Sequence, residues 1–217
     1  LPPIAALVGR RVAHPARRWI VAWCLALVVE SVLGRTLGLR GVHNLWVSYT
    51  FLPLTTGMAL WALSYWQARS TLRLALRSSI PVVFVVSVAL TVAVDSPSSF
   101  SLVAAPFPGL VLLLAALGTF IHLSLRADAP LLGYDWFWVT SGLVIYAGTT
   151  AAIQPLGWYF LAEREELVRA VWSVSAAGVI LAFIAIAWGL LCPELPISSG
   201  GSSSPPSSRS SSSRSDS

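Results

Sequence analysis

The chain reads as all-α, a polytopic bundle of transmembrane helices, and three observations predict it. Six apolar stretches, at approximately 19–38, 44–66, 79–95, 100–125, 134–155 and 167–192, approach the roughly 20 residues that a helix needs to cross about 30 Å of hydrocarbon. Hydrophobic residues make up 56% of the chain and charged residues 11%, with a mean hydropathy of +0.75, whereas a soluble domain carries about 25% charged residues. The arginines alternate in abundance from one connection to the next. A segment in lipid must satisfy its backbone internally, so these stretches are helices and not strands of an open sheet.

Taken in order, Leu1 to Gly9 is apolar and is followed by Arg10 and Arg11. It reads as the end of a truncated first span, which would make seven helices with the six complete ones. A secretory signal would show the reverse order of charge and apolar run. The 19–38 segment carries Glu30 among Val28, Val29, Val32 and Leu33, and 44–66 opens at Asn44 and includes Pro53. The 100–125 segment has Pro106 and Pro108 near its start, and 134–155 and 167–192 complete the bundle. Residues 1–192 form one bundle domain. Residues 193–217 form a Ser/Arg/Pro-rich tail with almost nothing to bury, which is expected to be disordered. Phosphorylation of the tail, or its use as a linker to an output domain, are the sharper readings of it.

Basic residues set orientation more strongly than acidic ones. If 10–18 is cytoplasmic, ten arginines fall inside (Arg10, Arg11, Arg17, Arg18, Arg69, Arg73, Arg77, Arg126, Arg209 and Arg214) and four outside (Arg35, Arg40, Arg164 and Arg169). The C-terminus is then cytoplasmic, and a bacterial cytoplasmic membrane is the expected location. Trp19, Trp46, Trp66, Trp136, Trp158 and Trp188 fall near predicted span ends and are expected to anchor at the headgroups. A ligand or pigment site at Trp136 and Trp138 competes with that reading.

Chemistry is sparse. The chain has no Lys, which removes Schiff-base catalysis. It shows no phosphate loop, HExxH or GxSxG, so no catalytic residue is expected and an enzyme is not the reading. Cys24 and Cys192 lie at different depths and are not expected to bridge; two thiols make no zinc site. Glu30, about mid-depth, is the outstanding ionisable group inside a span, a candidate for proton coupling or for pairing with a cationic ligand. Gly142, Tyr146, Thr150 and Gln154 recur every four residues, and Tyr49, Pro53, Thr56 and Gly57 make a shorter polar or small face. Together with Glu30, the residues Tyr49, Tyr146, Thr150 and Gln154 would line a pocket in the outer half of the membrane. Ordinary packing of small and hydroxyl residues competes with that reading. His122 is the one His within a span. It is a candidate ligand for a chlorophyll-type pigment or for a haem with Met58 opposite, though an interfacial or hydrogen-bonded His is favoured over either. An ion pair between Arg35 and Asp95 is a further structural expectation.

The elements Asn44-Leu45-Trp46 with Tyr49 and Pro53-Leu54, and Phe137-Trp138 with Gly142 and Ile145-Tyr146, resemble an uncharacterised group of bacterial seven-helix integral-membrane proteins with NLWxxY and FWxxxGxxIY elements. The resemblance implies a seven-helix fold and transfers no activity. The leading functional expectation is a non-catalytic subunit or scaffold of a larger membrane complex, with lipid and other membrane-protein subunits as partners and no nucleic acid. The alternative is a seven-helix sensor or receptor-like protein with an outer-half pocket, or a small proton-coupled transporter.

Overall fold

The computed structural model describes residues 14–42, 44–94, 103–128, 130–161 and 165–192. Among these the chain is all-helical: α1 Pro15–Leu39, α2 Leu45–Trp66, α3 Ser70–Ala93, α4 Pro106–Ser124, a single 3-10 turn Leu131–Gly133, α5 Asp135–Leu161 and α6 Glu165–Leu191. Each matches one of the six apolar stretches. Four are long and apolar enough to cross a membrane: α1, α3, α4 and, within α6, Arg169–Leu191. Those four all expose long apolar faces, such as Val82, Val85, Val88 and Val92 on α3. Helix α2 packs against α1, α3 and α4 and buries Thr55, Thr56 and Ser64; helix α5 packs against α4 and α6 and buries Thr140.

Sequential neighbours run antiparallel. His14 stacks on Trp66 and Trp19 meets Trp61, while Asn44 Nδ2 donates to the Gly34 carbonyl at 2.8 Å, so α1 and α2 pair along their length. The turn between them is a Schellman cap: Val42 N–H reaches the Leu37 carbonyl and Gly41 N–H the Gly38 carbonyl, with Gly41 at φ 68°. That left-handed φ is where glycine is needed. Because the helices alternate in direction, Arg17, Arg18, Arg69, Arg73, Arg77 and Arg126 gather at one end of the bundle. Residues 1–13 and 193–217, which hold the expected truncated span and tail, lie outside the described residues, as does Asp95.

Helix α3 begins well before the expected 79, because its basic first turns are helix and not loop. Arg77 lies over the rings of Trp61 (4.5 Å) and Tyr65 (5.3 Å) and donates to Ser64 Oγ, and Arg73 donates to the Gln67 carbonyl. Cation–π contact and hydrogen bonds hold these arginines along α2. The Trp expectation also needs correction. Trp19, Trp46 and Trp188 have exposed faces as anchors would, but Trp136 is fully buried and Trp66 nearly so. Trp136 packs with Tyr134 and Phe137 inside the core. The side chain of Trp158 lies outside the described residues.

Arg17, expected in a cytoplasmic connection, is in the first turn of α1 and is buried. Its Nε donates to Asp135 Oδ2 at 3.0 Å, with side-chain exposures of 1% and 7%, and a terminal nitrogen donates to the Cys192 carbonyl at 2.9 Å. The pair ties the starts of α1 and α5 to the end of α6. Helices α5 and α6 are in closer contact still. A Cβ on Gly142 would stand 2.7 Å from the Ala182 carbonyl and 2.6 Å from Ile186 Cγ1, and one on Gly178 would stand 2.7 Å from Thr149 Oγ1. Small residues let membrane helices approach in this way.

Asp135→Asn leaves the Arg17 charge buried without a counter-charge, and should cost about 3–5 kcal/mol. The apolar double variant Arg17→Leu/Asp135→Leu should return close to wild type, both read as thermal unfolding in detergent. Equal losses from the single and double variants would show that charge compensation is not what holds the site. Gly142→Ala forces α5 and α6 apart and should lose about 1–3 kcal/mol in the same assay; an unchanged midpoint would contradict the close contact.

Candidate functional site

Glu30 lies fifteen residues beyond Pro15, about 22 Å along the axis at 1.5 Å per residue. It therefore sits well away from the arginine-rich end. Around it, α1, α2, α5 and α6 border an open pocket of about 520 Å³, whose polar groups are Glu30, Ser31, Ser48, Tyr146 and Thr150. The Ser48 hydroxyl hydrogen-bonds the Glu30 carboxylate, and the side chains of Tyr146 and Thr150 are in hydrogen-bond contact. The apolar lining comes from α1 and, on α6, from Val179 and Phe183.

Beneath the pocket, toward the arginine-rich end, three rings form a cluster. Trp23 meets Tyr146 edge-on at 5.1 Å and Phe183 at 6.1 Å, and Tyr146 lies 6.3 Å from Phe183. Trp23 is fully buried. Below these rings comes the Arg17–Asp135 pair. The same three helices, α1, α5 and α6, are thus clamped at one end, packed through aromatics in the middle and parted at Glu30.

Three of the five expected pocket residues, Glu30, Tyr146 and Thr150, line this one cavity. Tyr49 does not line it; its neighbour Ser48 does. Gln154 falls in α5, but its side chain lies outside the described residues. Gly142, in the same four-residue series, packs against α6. The hydroxyl of Thr150 also donates to the Tyr146 carbonyl at 2.8 Å, as Ser31 does to Leu27 and Thr140 to Trp136. Part of the polar stripe is therefore self-satisfied helix surface. The contribution of α6 was not visible in sequence, since Val179 and Phe183 are unremarkable apolar residues there.

His122 is on α4, away from the pocket. Its Nε2 is buried with no hydrogen-bond partner among the described residues, and Arg126 and Arg69 act on it electrostatically. Met58 is not placed to face it. Gln67 Nε2 donates to Thr119 Oγ1 at 2.9 Å, and α2 and α4 run parallel. Met58 precedes Gln67 by nine residues and His122 follows Thr119 by three, so the two differ in depth by about 18 Å. That separation does not fit a His/Met haem. Among the described residues no three His, Cys, Asp or Glu side chains cluster as a metal site would require, and Cys24 and Cys192 are free thiols.

Fold and site define a class: an all-helical bundle with helices long and apolar enough to cross a membrane and an acidic pocket between them. No protein-family model, no curated protein and no solved structure matches the chain.

Proposed function

We propose that the chain is a multi-pass membrane protein with six complete spans, its arginine-rich end and C-terminus in the cytoplasm of a bacterial cell, and that it binds a small molecule at Glu30 as a sensor or receptor-like protein. The convergence of Glu30, Ser48, Tyr146 and Thr150 on one cavity carries this reading. An ionisable residue within a span is costly and usually marks a functional site, and a largely apolar cavity with a few convergent polar groups is the usual form of a small-molecule pocket. A small proton-coupled transporter would use the same carboxylate, with the proton as its ligand.

The non-catalytic subunit or scaffold is the second reading. What favours it is the length of exposed apolar surface on α3 and α6, which lipid alone covers equally well. The two readings separate on a native gel of protein extracted in mild detergent at natural abundance, with mass spectrometry of the band. Migration of the chain by itself is the expected result; a large band with fixed companions would favour the subunit.

Orientation has its own test. Leu39 is 81% exposed at the end of α1 and Leu125 82% exposed just beyond α4. With the native cysteines replaced by Ser, Leu39→Cys should react with a membrane-impermeant maleimide in intact cells, and Leu125→Cys only after permeabilisation. The reverse pattern would invert the topology.

A further inference from the structure

Asp135 is buried and Glu30 half-buried, and the two carboxylates have different surroundings. Asp135 has Arg17 at 3.0 Å. No basic side chain among the described residues pairs with Glu30, whose polar contact is the uncharged Ser48 hydroxyl. Glu30 is set about two-thirds of the way along α1, where the dielectric would be low, and a lone carboxylate there attracts a cation far more strongly than it would in water. Its pocket adds aromatic rings, Tyr146 and Phe183, whose faces attract cations.

The way into the pocket bears on the kind of cation. Val28 and Val32, which line it, are 54% and 58% exposed. They belong to the apolar outer face of α1 and not to a polar vestibule, so the cavity opens sideways along surface that a bilayer would cover. A surface of that kind suits a hydrated inorganic ion poorly. It suits a molecule that partitions into the membrane and carries its charge on an apolar body. The volume of about 520 Å³ lies within the range of small-molecule pockets, and far above what a single metal ion or water needs.

We propose that the Glu30 pocket is a binding site for an amphiphilic organic cation, an ammonium group on an aromatic or alkyl body, which enters from the bilayer and sets its charge between the Glu30 carboxylate and the Tyr146 and Phe183 rings. This inference rests on the ligand-binding reading above and narrows it to one chemical class.

The test uses the whole chain in lipid nanodiscs and two probes of the same shape, radiolabelled benzyltrimethylammonium and its neutral carbon isostere neopentylbenzene, in equilibrium dialysis against empty nanodiscs. Wild type should bind the cation saturably at one per chain, and roughly tenfold or more tightly than the isostere. Glu30→Gln should abolish that preference, and Glu30→Asp should keep it. The wild-type comparison stands even where a variant fails to fold. Equal binding of both probes would overturn the cation assignment while leaving a pocket ligand in place. An undiminished preference in folded Glu30→Gln would move the site elsewhere. Saturable binding of neither probe would overturn this proposal, and the ligand-binding reading itself would then be judged by the native gel.

Discussion

The arrangement depends first on one buried ion pair. Arg17 and Asp135 are 118 residues apart in sequence and 3.0 Å apart in space. Charges removed from water are expensive, and a simple pair rarely recovers the cost. Here the helices themselves contribute. Asp135 opens α5, where the exposed N–H groups favour an anion, and its Oδ1 accepts from Trp136 N–H at 2.8 Å. Arg17 donates to the Cys192 carbonyl just past the end of α6, where the last carbonyls favour a cation. Asp135 therefore meets its partner at the favourable end of its own helix, whereas Arg17 meets the favourable end of α6 from the unfavourable first turn of α1. The pair fixes which ends of α1, α5 and α6 coincide; its effect is on register more than on net stability.

Everything above the pair follows from that register. With the helix starts fixed, Trp23 comes against Tyr146 and Phe183, and three large rings at one level hold the helices apart as well as together. Helices α5 and α6 stay close on both sides of that level because Gly142, between the ion pair and the rings, and Gly178, beyond the rings, remove the side chains that would separate them. On the other side, the Asn44 to Gly34 hydrogen bond holds the far end of α1 to the start of α2. The α5–α6 pair and the α1–α2 pair thus act as two walls, and the pocket at Glu30 is the space between them.

The helices were legible in sequence because length and hydropathy alone decide what can cross hydrocarbon. The start of α3 was not, since Arg73 and Arg77 look like loop residues until Trp61 and Tyr65 are beside them. Nearness to a span end made Trp136 look like an anchor; packing against Tyr134 and Phe137 decided otherwise. Glu30, Tyr146 and Thr150 could be read because a carboxylate within a span and a repeat of four are local signals. The repeat misled at Gly142 for a geometric reason. Residues four apart advance by about 40° beyond a full turn, so Gly142 and Thr150 differ by two such steps, one facing α6 and the other the pocket. Ser48 in place of Tyr49 is the same kind of error, a single residue of helical rotation. The Arg17–Asp135 pair left no local trace, because nothing within either segment points across 118 positions.

The contrast between the two carboxylates says most about what the chain is built for. Asp135 is buried and Glu30 half-buried, and among the described residues only Asp135 meets an arginine. Arg17, Arg18, Arg69, Arg73, Arg77 and Arg126 lie at the opposite end from Glu30, and Arg35 and Arg40, further along α1 on its own side, make no ion pair with it among the described residues. Replacing Glu30 by an apolar residue would be the simpler answer for a bundle whose needs were only structural, since a hydroxyl such as Ser48 offers little return for the desolvation of a carboxylate. A carboxylate that keeps one weak partner, beside aromatic faces and an opening along the lipid-facing side of α1, is arranged for a positive charge that comes from outside the fold.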